Sequence, residues 1–135
     1  DVYKRQNLKR ISVEFSVCKL SGPMDWGKLN ETSGFWFLGK TDEELSLVCE
    51  TASVPENTVE REDGFLAFRL EGILDFSLIG ILSKISTVLA DHGIGIFAVS
   101  TFNTDYILVK KENYEKALNH LETAGYTVTG TKEEN

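Results

Sequence analysis

Residues 65–93 read FLAFRLEGILDFSLIGILSKISTVLADHG, and this stretch decides the fold. Residues 65–70 are rich in strand formers, with Leu66, Phe68 and Leu70 on one face of an expected strand. Glu71 and Gly72 close it. Asp75 then stands as a helix N-cap, with Leu74 before it and Ile79 after it at hydrophobic-staple spacing. The apolar positions Leu78, Ile79, Ile81, Leu82, Ile85, Val88 and Leu89 recur at three and four residues, which predicts a helix with one buried stripe. Gly93, after Asp91 and His92, is a stop signal.

Downstream, residues 94–101 (IGIFAVST) are apolar on both parities and read as a strand central in its sheet. Residues 102–105 (FNTD) form a turn, and residues 106–110 (YILVK) return to make a hairpin. Asn113 is the expected cap of a second helix whose apolar positions are Tyr114, Ala117, Leu118, Leu121 and Ala124. Gly125 ends that helix, and residues 126–129 (YTVT) form a last strand. The order is β-α-β-β-α-β, the split βαβ, ferredoxin-like unit.

Upstream, residues 11–20 (ISVEFSVCKL) alternate, with Ile11, Val13, Phe15 and Val17 on one face. Ser21, Gly22 and Pro23 break the strand. Residues 24–29 allow one helical turn, and residues 35–38 (FWFL) another strand. Thr41 and Glu44 have capping-box spacing, but residues 45–49 (LSLVC) alternate, so a hairpin is the preferred reading over a helix. A short helix is expected at residues 51–54, and the polar residues 56–64 read as a connector. The expected fold class is α+β: two ferredoxin-like (βαββαβ) units with antiparallel sheets, an N-terminal one at residues 10–62, degraded, and a complete one at residues 63–131. Residues 1–6 (DVYKRQ) resemble the translation of a sequencing adapter and read as a non-native extension.

Composition narrows the function. The chain has 135 residues, 41% hydrophobic and 26% charged, which suits a folded domain rather than a disordered tail. Acidic residues outnumber basic ones 21 to 14, for a net charge of −7, which disfavours nucleic acid as a partner. Two cysteines, no leader and no long apolar run point to a reduced, cytoplasmic setting with no membrane partner.

Residues 45–49, 67–69, 71–72, 74–78 (LDFSL), 94–98 and 100–109 (STFNTDYILV) resemble bacterial tandem ACT-domain proteins. Those are similar to the CASTOR arginine sensors of animal cells and, more remotely, to the regulatory ACT domains of aspartate kinases. The resemblance runs from about residue 16 to residue 128. It implies a non-catalytic regulatory module that binds a small ligand, an amino acid, at an interface between ACT units. It also implies a possible homodimer or partner enzyme, and no cofactor. The alternative is a protein-interaction subunit with no retained ligand site.

Two loops carry the candidate ligand-binding residues. The first holds Gly72, Leu74, Asp75, Phe76, Ser77 and Leu78. A helix start offers unpaired N–H groups and a partial positive charge, where a carboxylate is favoured. Asp75 either holds an ammonium group there or only caps its own helix. The second holds Ser100, Thr101, Phe102, Asn103, Thr104 and Asp105. Its polar groups either face a neighbouring unit or satisfy their own turn. Arg69, inside a strand, either extends to solvent or pairs with a carboxylate such as Glu71 or a ligand.

Enzymatic constellations are scarce. His92 and His120 read as surface residues, and Cys18 and Cys49 as buried thiols. There is no Cys-x-x-Cys, no His-Glu-x-x-His and no phosphate loop, so neither a metal nor a nucleotide site has support. Trp26 and Trp36 either pack or wall a pocket. Residues 106–110 lack the aromatic and basic pattern of an RNA-recognition strand.

Overall fold

The computed structural model describes residues 7–23, 26–31, 34–71 and 80–131. The strands are β1 (Asn7–Leu20), β2 (Trp36–Lys40), β3 (Leu45–Glu50), β4 (Thr58–Leu70), β5 (Phe97–Ser100), β6 (Asp105–Lys110) and β7 (Thr127–Thr129). The helices are α1 (Trp26–Glu31), α2 (Ile81–Asp91) and α3 (Lys111–Thr123). The chain forms two compact units: Asp1–Val13 with Leu66–Asn135, and Glu14–Phe65. The division falls inside β1 and inside β4.

The larger unit orders its strands β7-β1-β4-β6-β5. The pairs are antiparallel where β6 meets β5 and parallel where β7 meets β1, with Asn7 opposite Thr127 and Lys9 opposite Thr129. Leu66, Phe68 and Leu70 of β4, with Ile107 and Val109 of β6, are buried against Ile81, Ile85 and Leu89 of α2 and Tyr114, Ala117, Leu118 and Leu121 of α3. The strand face read from sequence is in this core, as are Ile81, Ile85 and Leu89 of the expected stripe, with Leu82 and Val88 partly buried against it; α2 begins at Ile81 with Gly80 at its N-cap, and Asp75, Leu78 and Ile79 lie outside the described residues. Leu8 joins it from β1, far away in the chain. The Tyr114 hydroxyl donates to the Ala67 carbonyl at 2.5 Å. Arg10 of β1 meets Glu115 of α3 as a bidentate pair, with Nη2 donating to Oε1 at 2.9 Å, and lies 5.8 Å from the Tyr114 ring centre.

Both helices end alike. Gly93 (φ +71°) donates to the Ala90 carbonyl at 3.0 Å and Ile94 to Leu89 at 2.9 Å. Gly125 (φ +111°) donates to Glu122 at 3.0 Å and Tyr126 to Leu121 at 3.1 Å. Each is a Schellman end, in which glycine takes the left-handed position and the next residue, buried Ile94 or Tyr126, returns to the core.

Three expectations need correction here. The strand at residues 94–101 is only Phe97–Ser100, and it stands at the end of the sheet rather than in its centre. Ile94 is spent on the helix end, and its apolar character signals that contact, not a buried strand. Asn113 does not cap α3, because β6 runs straight into the helix and Lys110 occupies the N-cap position. Ala124, expected on the buried side, is the exposed C-cap.

The smaller unit orders its strands β2-β3-β1-β4. β2 and β3 form the expected hairpin, with Lys40 opposite Leu45 and Trp36 opposite Cys49. Thr41 makes the turn: its N–H donates to the Glu44 carbonyl at 2.9 Å, and its hydroxyl accepts from the N–H groups of Glu43 and Glu44, each at 3.1 Å. The side-chain bonds of a capping threonine thus close a hairpin loop instead. Cys18, Leu20, Leu29, Leu47 and Cys49 form this core, with Trp36, Leu38, Leu45 and Val54 against it. In β1 the expected face is present in buried Ile11 and Phe15, but Leu8, Cys18 and Leu20 of the opposite parity are buried too. Residues 56–64 are not a connector, since β4 begins at Thr58. Val59 to Asp63 are all exposed, so this part of the strand carries no apolar period to read.

Candidate functional site

The β5–β6 hairpin sets Ser100 opposite Asp105. Between them the tip closes on itself. The Ser100 hydroxyl donates to Asp105 Oδ1 at 2.6 Å, and the Thr101 N–H donates to the Thr104 carbonyl at 2.8 Å. The Thr101 hydroxyl donates to the same carbonyl at 3.0 Å. Thr104 is buried, and its hydroxyl donates to the Leu70 carbonyl at 2.8 Å. Phe102 stands out from this tip, 89% exposed. Asn103 is exposed beside it.

Leu70 is the last residue of β4, so Thr104 ties the hairpin tip to the strand end that leads into residue 72. Gly72, Leu74, Asp75, Phe76, Ser77 and Leu78 lie outside the described residues. The strand leading to them carries a polar cluster. Arg69 Nε donates to Glu71 Oε2 at 3.1 Å, and Nη1 donates to the Tyr106 hydroxyl at 3.2 Å. The guanidinium carbon lies 5.9 Å from the Tyr106 ring centre. The Tyr106 hydroxyl, and after it Glu71, hold the arginine in its charged form against the opposing effect of burial. The side chains of Arg69 and Glu71 are 25% and 34% exposed, so the pair is partly shielded and still reachable. The Glu71 N–H donates to the Asn7 carbonyl at 2.8 Å, which fixes the backbone beneath the pair. Arg69 was a sequence candidate with Glu71 as one possible partner. Tyr106 was missed, because only the pairing of β4 with β6 brings it alongside.

Elsewhere the chemistry is quieter. Burial first, then Cys18, pushes the Cys49 thiol up to about 12, and burial raises the Cys18 thiol too. Both are free cysteines in a core, where burial disfavours the thiolate. The His92 and His120 rings stack 3.4 Å apart, centre to centre, with His92 Nδ1 2.9 Å from the Val88 carbonyl oxygen. Among the described residues, no three metal-ligating side chains come together. A groove of about 430 Å³ in the smaller unit runs past Lys19, Ser46, Glu60 and Arg61. No described helix is long and apolar enough to cross a membrane.

An antiparallel-dominated sheet with two helices docked on it, hairpin tip bound to strand end, defines a small α+β module. Residues 60–123 match the family model of the ACT domain. Protein Atu0741 of Agobacterium tumefaciens is similar in structure, with a TM-score of 0.83 and 29% identity over 97% of each chain. A protein of unknown function of Vibrio cholerae, VC0802, titled a possible transport protein, shares the fold at TM-score 0.69 and 22% identity, over 90% of this chain and 91% of its own. The regulatory subunit of aspartate kinase from Thermus thermophilus shares it at TM-score 0.61 and 13% identity, over 87% of this chain and 95% of its own. No curated protein matches the chain. An ACT domain is thus matched over residues 60–123, and the likeness to the other solved structures is one of fold.

Proposed function

We propose that the chain is a non-catalytic sensing module of the tandem, CASTOR-like kind, which binds an amino acid where one ACT unit meets another. The ligand residues on this reading are Gly72, Leu74, Asp75, Phe76, Ser77 and Leu78, with Ser100, Thr101, Phe102, Asn103, Thr104 and Asp105. The observation that carries it is the Thr104–Leu70 hydrogen bond, which brings the second group to the strand end preceding the first. A ligand there acts on the module only through its different affinity for two states. Native mass spectrometry of the freshly purified full chain tests the reading. An amino-acid adduct, retained or regained on addition at millimolar concentration, is expected. A bare chain under both conditions overturns it.

A second reading rests on Phe102. An aromatic ring 89% exposed on a turn closed by its own hydrogen bonds suits a protein contact. On that reading the module is an interaction subunit with no ligand. Phe102→Ser then abolishes capture of a partner, and the wild-type chain binds no amino acid.

A further inference from the structure

The chain's two histidines, far apart in sequence, meet on the larger unit. His92 is the C-cap of α2, and His120 lies in the last turn of α3. Their rings stack with centres 3.4 Å apart and planes 19° from parallel. His92 is exposed and His120 half-buried, so solvent reaches the pair. His92 Nδ1 lies 2.9 Å from the Val88 carbonyl oxygen. A carbonyl only accepts, so Nδ1 carries the proton, and the lone pair of the neutral ring is on Nε2. A backbone carbonyl on the far nitrogen is the support that metal-ligating imidazoles ordinarily have. No hydrogen bond to a described residue holds the His120 ring, so it can turn from the stack and bring its own lone pair beside that of His92. Two zinc–nitrogen bonds of about 2 Å at a tetrahedral angle set their nitrogens about 3.3 Å apart, close to the spacing of these rings.

We infer that His92 and His120 form a two-imidazole site for a divalent transition metal of the nickel, copper or zinc type, with water completing the coordination, and that the ion clasps the C-terminal ends of α2 and α3. Imidazole suits these ions, whereas calcium and magnesium take oxygen ligands. The field favours a cation. Each ring stands at a helix C-terminus, where the backbone dipoles leave partial negative charge, and the chain carries a net charge of −7. Desolvation first, then His92 and Lys116, lower the His120 pKa, which keeps that ring neutral and able to ligate. The Lys116 charge acts against a metal ion as it does against a proton. This inference is independent of the amino-acid reading.

Isothermal titration of the full chain, free of any histidine tag, with zinc chloride and then nickel chloride tests this. One ion per chain is expected, and no binding of magnesium. His92→Asn and His120→Asn each weaken binding about tenfold or more, since even a lost supporting partner of a ligand costs about 10–100-fold. Lys116→Gln tightens it. Zinc raises the thermal midpoint of the wild-type chain and of neither histidine variant. Wild-type circular dichroism in the metal-free variants separates a lost ligand from a lost fold. Two ions per chain, with each single variant retaining one, overturns the inference, because the rings then act separately. Wild-type affinity in either histidine variant overturns it as well, and so does the absence of binding at millimolar zinc and nickel.

Discussion

Thr104 shows how a single hydroxyl organises the hairpin tip. It is buried, and it caps the Leu70 carbonyl at the end of β4. Thr104→Val keeps the shape but leaves that carbonyl without its partner, so a loss of about 1–2 kcal/mol in urea-measured stability is expected. At Cys49, a thiol pushed up to about 12 carries almost no thiolate near neutrality. An aromatic disulfide reagent at pH 8 should leave Cys49 unmodified in the native chain and react with both cysteines in guanidinium. His120 makes a pH prediction. Desolvation first, then His92 and Lys116, lowers its pKa from the usual 6.5. The unfolded chain therefore takes up the proton more readily than the folded one. The stability this contributes is present above pH 6.5 and is lost as pH falls from there through the lower value of the folded state. His120→Asn should flatten the profile in that window. At this scale the sequence was informative about residue type and silent about partner. Thr104 and Arg69 were both visible as candidates, but Leu70 and Tyr106 were not visible as the groups they meet.

Elements were legible where one periodicity had one cause. Ile81, Ile85 and Leu89 of α2, and Tyr114, Ala117, Leu118 and Leu121 of α3, are buried as read, because a helix with a single apolar side has one place to dock. The glycine stops held as well, since only glycine takes the left-handed position without strain. Gly125→Ala puts a Cβ at φ +111° and should cost about 1 kcal/mol, measured by thermal or urea unfolding, with α3 otherwise intact. Other elements were hidden because one signal served two purposes. Ile94 was read as strand and is a helix-end contact. Thr41 was ambiguous between cap and turn, and its hydroxyl makes the same kind of bond in either. The first half of β4 offered no pattern at all, being exposed from Val59 to Asp63 and charged from Glu60 onward.

At the scale of the whole molecule, one pairing of distant sequence was beyond reach. β1 joins β7 in parallel, and it passes from one compact unit into the other. No local pattern announces a strand that serves two cores, so Leu8 and Cys18, on one parity, were unassigned to either. The candidate site was legible as two loops and a strand arginine. Its assembly was not, because the tie between hairpin tip and strand end spans 34 residues.

The proposed function is that of a receptor for a free amino acid. Thermal denaturation of the full chain against all twenty amino acids tests it most directly. At a hundred times its dissociation constant, a ligand of the native state adds about 2.7 kcal/mol, which moves the midpoint by several degrees. Such a shift is expected from one amino acid or a few close in shape, and none from their deaminated counterparts. A midpoint unmoved by every amino acid at millimolar concentration would contradict it.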